Sequence, residues 1–228
     1  MGAGRKDSEG GIGMRLRRIL VAVVLVLISF VVYLQECRVD SLANTVYYNC
    51  QRFDLSVLDS CGIITDGQGH GSCVAIAPNI VLTAGHCIEV PGTWIEIGDV
   101  KYTILGKWGS DEYDIGFIKI DGDLPFVKMG TMPCVLQEVY KVGYPLLPDL
   151  DNFVAKGIIS KLGESYWVWD DVIILDSPGI GGQSGGAVFD KNGWLVAIHV
   201  GHISYGFGVE EPISHIRAAY AEYVGLGG

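Results

Sequence analysis

From about Asp66 to the C-terminus, short apolar segments alternate with turn residues. That rhythm restricts this part of the chain to an all-β fold. Ser72–Ala77 and Ile80–Ala84 flank a Pro78-Asn79 turn, and Trp94–Ile97 and Val100–Leu105 flank Gly98-Asp99, a strong hairpin signal. Ile115–Ile120 is another apolar strand. A stretch punctuated by Pro and Gly, Asp121 to Pro133, joins two halves. Further strands follow at Glu138–Val142, Val154–Ile159, Val172–Leu175, Ala187–Phe189, Leu195–His199 and Gly206–Val209. One helix stands apart near the end. Pro212 suits its first turn, Ile213, Ile216, Tyr220, Tyr223 and Val224 share a face, and Gly225 stops it. Two small barrels with a C-terminal helix are the expected architecture.

Composition narrows the class of function. With 228 residues, 49% hydrophobic and 18% charged, the chain has the makings of a real core and is not a disordered one. Its 26 acidic against 16 basic side chains leave a formal charge of −10, which excludes a nucleic-acid or anionic-membrane binder, since both need a basic face. The 32 glycines follow no period and no repeat of solenoid length is present, so they mark turns.

Residues 1–36 read differently from the rest. Met1–Gly13 is a polar, glycine-rich tail. Arg15, Arg17 and Arg18 then precede an uncharged apolar run from Ile19 to Leu34, at the lower edge of the roughly 17–25 residues a spanning helix needs. A basic flank before an apolar run also marks a secretory signal, but no small-x-small cleavage site follows directly. An uncleaved signal anchor is therefore the expectation, with residues 1–18 as a cytoplasmic tail, 19–35 as the transmembrane helix and 36–67 as an exported leader. All six cysteines (Cys37, Cys50, Cys61, Cys73, Cys87, Cys134) lie beyond the run, which agrees with an exported, oxidising compartment. No Cys-x-x-Cys pair occurs, and His70, His202 and His215 read as surface or loop residues without metal-ligand spacing, so no metal or cofactor is expected.

Three segments carry chemistry. Leu82-Thr83-Ala84-Gly85-His86-Cys87 puts a histidine just after an apolar strand. Tyr113-Asp114-Ile115-Gly116-Phe117-Ile118-Lys119 puts an acid at the mouth of a buried one; Asp111 is its rival but lacks the strand directly behind it. Gly181-Gly182-Gln183-Ser184-Gly185-Gly186-Ala187-Val188 surrounds one serine with glycines, which lets the backbone turn sharply and aim N–H groups at one spot.

In the order His, Asp, Ser, these three contexts resemble the chymotrypsin-like serine protease superfamily, from about Gly69 to the C-terminus. The resemblance implies two six-stranded antiparallel barrels, here 68–126 with His86 and Asp114 and 127–228 with Ser184 and the helix, and a cleft between them. It implies a serine endopeptidase acting on protein or peptide substrates. Ser184 would be the nucleophile, His86 its general base, and Asp114 the group that fixes the imidazole tautomer, with the N–H groups of Gly182 and Ser184 as an oxyanion hole. Cys73 and Cys87 would form a disulfide bracing His86, and Cys134 would tether Cys37, Cys50 or Cys61. Gln183 replaces the acid that digestive members carry before the serine, and no Ile-Val-Gly-Gly-like start exists, so the chain looks more like HtrA-type and viral proteases.

One strand bears on specificity. Ala197-Ile198-His199-Val200-Gly201 resembles the wall of the pocket for the residue before the scissile bond in glutamyl endopeptidases and picornavirus-type proteases. With Pro178 and Gly179 opposite, His199 and Gly201 would bind a Glu or Gln side chain, since an imidazole can serve either. Ser177 supplies the nearest hydroxyl. Two other readings are a non-catalytic binding module on the same scaffold, which the intact His86, Asp114 and Ser184 argue against, and a membrane-tethered fragment of a viral polyprotein.

Overall fold

In the computed structural model, the strands His70–Ala77, Ile80–Thr83 and Gly116–Ile120 form where β-branched and small apolar residues dominate the chain. Residues 53–89, 91, 93–147, 152–203 and 206–228 are described, together with Ser29 and Val31. The chain divides into two units, Met1–Arg52 and Phe53–Gly228, and the second carries the fold. A 3-10 turn, Leu55–Ser60, opens it; Asp54 caps the turn by accepting the Ser56 N–H.

Seven strands follow: β1 (Cys61–Thr65), β2 (His70–Ala77), β3 (Ile80–Thr83), β4 (Trp94–Ile97), β5 (Val100–Tyr102), β6 (Ile104–Gly109) and β7 (Gly116–Ile120). They make one antiparallel sheet in the order β5-β4-β1-β2-β3-β7-β6. β2 runs without polar alternation because both its faces are buried. Val74 and Ile76 join a core with Leu82 and Phe117, while Cys73 and Ala75 join a second with Val81 and Ile118.

The second half contains β8 (Glu138–Gly143), β9 (Phe153–Tyr166), β10 (Trp169–Leu175), β11 (Ala187–Phe189), β12 (Leu195–Ile203) and β13 (Phe207–Pro212), which close in the order β10-β13-β12-β11-β8-β9. The helix α1 (Ile213–Gly225) follows β13 directly and buries Ile213, Ile216, Ala219 and Tyr223. Its aromatics reach the first half: Phe117 on β7 lies 5.4 Å from the Tyr220 and Tyr223 rings and 5.7 Å from Trp108. Phe117 is fully buried, and truncating it would cost about 3–5 kcal/mol.

Several expectations need correcting. The first half is a seven-stranded sheet, not a closed six-stranded barrel. Its additional strand, β1, comes from residues read as leader, and its edge strands β5 and β6 are joined through Thr103 without pairing. Among the described residues no helix is long and apolar enough to cross a membrane. The anchor expected over 19–35 lies outside the described residues apart from Ser29 and Val31, so the membrane partner and the exported placement that rested on it do not stand.

The disulfides fail as well: Cys61, Cys73, Cys87 and Cys134 are free thiols, and Cys37 and Cys50 lie outside the described residues. Cys73 points into one core, whereas the Cys87 thiol donates to the Ser184 carbonyl at 3.7 Å. Burial pushes the Cys61 and Cys73 thiols up, which keeps them protonated. Nor is His215 a surface residue; it is buried in the first turns of α1.

Candidate active site

His86 sits in a 3-10 turn, Gly85–Cys87, just past β3, and Asp114 lies two residues before β7. β3 and β7 are antiparallel neighbours with Thr83 opposite Gly116, so the end of one strand and the start of the other meet. Gly85 makes the contact close: a Cβ there would lie 3.0 Å from Asp114 Oδ1. The carboxylate grips its neighbour twice. Oδ1 accepts the His86 backbone N–H at 2.9 Å, and Oδ2 accepts from Nδ1 at 2.8 Å. That fixes the ring and puts the proton on Nδ1, leaving Nε2 to face the cleft. Trp169 Nε1–H donates to Oδ2 as well, at 3.3 Å. Burial pushes the Asp114 carboxyl up, but the bonds from His86 and Trp169 outweigh it and hold it below the ordinary range. The same Asp114 contact, then one with Cys87, raises His86 to about 10 against the opposing effect of burial. Asp111 lies exposed in the loop before Asp114.

Ser184 lies in the glycine loop between β10 and β11. Gly185, at φ +86°, has no room for a side chain, because a Cβ would run into the Ser72 carbonyl and the Thr83 hydroxyl. Ser72, fully buried on β2, anchors the loop from below. Its N–H donates to the Ser184 carbonyl at 2.7 Å, and its hydroxyl donates to the Gly182 carbonyl at 2.8 Å. The N–H groups of Gln183, Gly185 and Gly186 donate to the carbonyls of Ile180, His199 and Gln183. Among the described residues those of Gly182 and Ser184 donate to no backbone carbonyl. His86, Gly182 and Ser184 line one cavity of about 300 Å³, together with Gly71, Cys87 and Leu146.

The model of the trypsin-like peptidase domain matches residues 71–198, more than half of the chain. The chain belongs to the trypsin-like peptidase family. Membership makes it a serine endopeptidase. No curated protein matches it in sequence. Solved structures share its fold. Rv3671c of M. tuberculosis H37Rv, in the inactive form of a serine-to-alanine mutant, is 17% identical with a TM-score of 0.64, over 73% of this chain and 87% of that one. The HtrA-type protease AlgW with tripeptide is 22% identical with a TM-score of 0.64, over 75% of this chain and 62% of that one. The serine endoprotease from Yersinia pestis is 19% identical with a TM-score of 0.63, over 73% and 63%. This chain thus spans less than two thirds of the length of the latter two.

The four residues expected at the specificity pocket of this trypsin-like peptidase are placed unevenly. His199 is 2% exposed, and its Nδ1 lies 3.0 Å from Glu210 Oε1. Nε2 faces Gly179, where a Cβ would lie 2.6 Å away. Pro178 is exposed, and its carbonyl accepts from the buried Lys141 ammonium at 2.5 Å. Gly201 is covered by the Trp169 indole, 2.5 Å from where a Cβ would be. His199 and Gly179 therefore come together, while Gly201 stands behind an aromatic wall. Sequence reading missed Trp169, Glu210, Glu211, Lys141 and Ser72. Only the glutamates left a signal, two adjacent acids in the otherwise apolar run Gly208-Val209-Glu210-Glu211-Pro212.

Proposed function

We propose that this chain hydrolyses peptide bonds through His86, Asp114 and Ser184. The observation that carries the reading is the double grip of Asp114 on His86 beside a serine loop whose Gly182 and Ser184 N–H groups donate to no backbone carbonyl among the described residues. In the reaction Ser184 Oγ attacks the scissile carbonyl while His86 Nε2 takes its proton. The carbonyl oxygen becomes an oxyanion, which the Gly182 and Ser184 N–H groups accommodate. Collapse breaks the C–N bond as His86 returns the proton to the leaving amine. Water, deprotonated by the same imidazole, then releases the acyl group and regenerates Ser184. Asp114 keeps the tautomer and stabilises the imidazolium throughout.

Preference for Gln or Glu before the scissile bond belongs to the same reading, through His199. Contact with the Glu210 carboxylate assigns the proton of a neutral ring to Nδ1, so Nε2 presents a lone pair towards Gly179. A lone pair accepts from the amide N–H of Gln and repels the carboxylate of Glu. The favoured residue of the two is therefore Gln.

The test is cleavage of a peptide library by the full chain beside Ser184→Ala. Hydrolysis and fluorophosphonate labelling by the parent, both lost by about ten-thousand-fold or more in the variant, are expected. Cleavage after residues unlike Gln or Glu would keep the triad and remove the His199 assignment. A folded parent that neither cleaves nor labels would favour a binding module on this scaffold.

A further inference from the structure

Two consecutive glutamates on β13, Glu210 and Glu211, are 0% and 1% exposed. Neighbouring strand residues point to opposite faces, and each carboxylate meets a different histidine. Glu210 takes His199, whereas Glu211 Oε2 takes His215 Nδ1 at 2.7 Å, four residues on in α1. Apolar residues would fill such positions at less cost than a buried carboxylate and its partner. Glu210 has a task at the specificity pocket. Glu211 has one at the triad.

Its remaining oxygen, Oε1, accepts the backbone N–H of Asp114 at 3.3 Å. That N–H has no backbone acceptor among the described residues, because the chain turns tightly there, with Ile115 N–H donating to the Tyr113 carbonyl at 2.7 Å. Asp114 is thus held from two sides, by His86 and Trp169 at its carboxylate and by Glu211 at its backbone. Glu211 is held in turn by His215, whose ring stacks on Tyr113 at 4.2 Å and 21° and whose Nε2 lies 3.5 Å from Asp171 Oδ2. Burial pushes His215 down, but contact with Glu211 and the field of Asp171 outweigh it and raise it.

We infer that Glu211, kept in place by His215, is a positioning residue for Asp114. The inference rests on the triad reading above. Glu211 touches neither substrate nor the proton in transit; it fixes the turn from which the Asp114 carboxylate reaches His86. Freeing that turn displaces the carboxylate, and small displacements at such a group are costly in rate.

Two measurements on the full chain test it: steady-state kinetics on a cleaved peptide, and the low-field proton resonance of His86 Nδ1–H, which reports its bond to Asp114 without any turnover. Glu211→Ala is expected to lower kcat by about 10–100-fold with KM nearly unchanged, and to shift or broaden the resonance. Glu211→Gln keeps an oxygen for the Asp114 N–H, so it should return kcat to within a few-fold of the parent and restore the signal. Should Glu211→Ala fail to fold, His215→Phe keeps the stack on Tyr113 and withdraws the Glu211 partner; it should lower kcat in the same direction with KM held. Parent kcat and an unmoved resonance in a folded Glu211→Ala or His215→Phe would overturn the inference. So would a loss confined to KM. A parent that shows the resonance but does not cleave counts against the triad reading alone, and the spectra still decide the role of Glu211.

Discussion

His86 and Asp114 stabilise each other's charged forms, and that has consequences on both sides of neutrality. His86, raised to about 10, carries its second proton through the neutral range in the free protein, and the general base of the proposed mechanism forms as pH climbs towards that value. Activity on a peptide should therefore keep rising into the alkaline range. Asp114→Asn removes the largest cause of the elevation, so the rising limb of kcat/KM should move to lower pH even as kcat falls by about ten-thousand-fold. Stability shares the sign. A raised histidine contributes stability that is fully present below its unfolded value of about 6.5 and is lost as pH rises through about 10. Thermal midpoints at pH 6 and pH 10.5 should thus differ more for the parent than for Asp114→Asn, and equal differences would remove the coupling. At this scale the sequence was legible where the local context is diagnostic: a histidine after a strand, an acid before one, a serine among glycines. Trp169 and Glu211 left no such trace as partners of Asp114, because they lie 55 and 97 residues away from it along the chain.

Elements were legible in proportion to the apolar face they bury. β2, β3 and β7 read directly, since nearly every residue in them is in a core. The hairpin of β9 and β10 did not: its apolar stretches Val154–Ile159 and Val172–Leu175 announced only the parts in the barrel wall. Beyond them the strands extend to Tyr166 and start again at Trp169 through mostly exposed residues, so no alternation marks them. β1 escaped for another reason, as Cys61–Thr65 falls within the stretch 36–67 read as leader. The extension is what delivers Trp169 to the site, where its N–H meets Asp114 and its ring covers Gly201. Those two roles separate by mutation. Trp169→Phe keeps a ring over Gly201 and loses the N–H, a bond worth about 0.5–1.5 kcal/mol, so kcat should fall about 2–10-fold with KM little changed. Trp169→Ala also uncovers Gly201 and should raise KM. A fall in KM alone, or no change in either variant, would remove Trp169 from the site.

At the scale of the molecule, Phe53 is already part of the core, well upstream of the boundary at 68 drawn from sequence. Its ring is 7% exposed, stacks on Tyr140 of β8 at 4.4 Å and 11°, and lies 5.9 Å from Phe189 of β11. Val57, in the turn that follows, is equally buried. The chain thus straps the second half with aromatic packing before β1 enters the first sheet, so Phe53–Ser60 belongs to the domain although it contributes no strand. Nothing in the segment announces this, since Phe53 and Val57 find their partners far along the chain and not in a repeating pattern. Phe53→Ala should cost about 3–5 kcal/mol. For a unit of this size that lowers the thermal midpoint by about 10 °C, at about 2–4 °C for each kcal/mol. A chain begun at Cys61 should lose more than one begun at Phe53, because it sheds Val57 as well, while both keep β1–β13 and His86, Asp114 and Ser184. Equal midpoints for the two truncations would make the strap dispensable. A lower midpoint with kcat preserved at low temperature would show that the strap stabilises the domain without shaping its site.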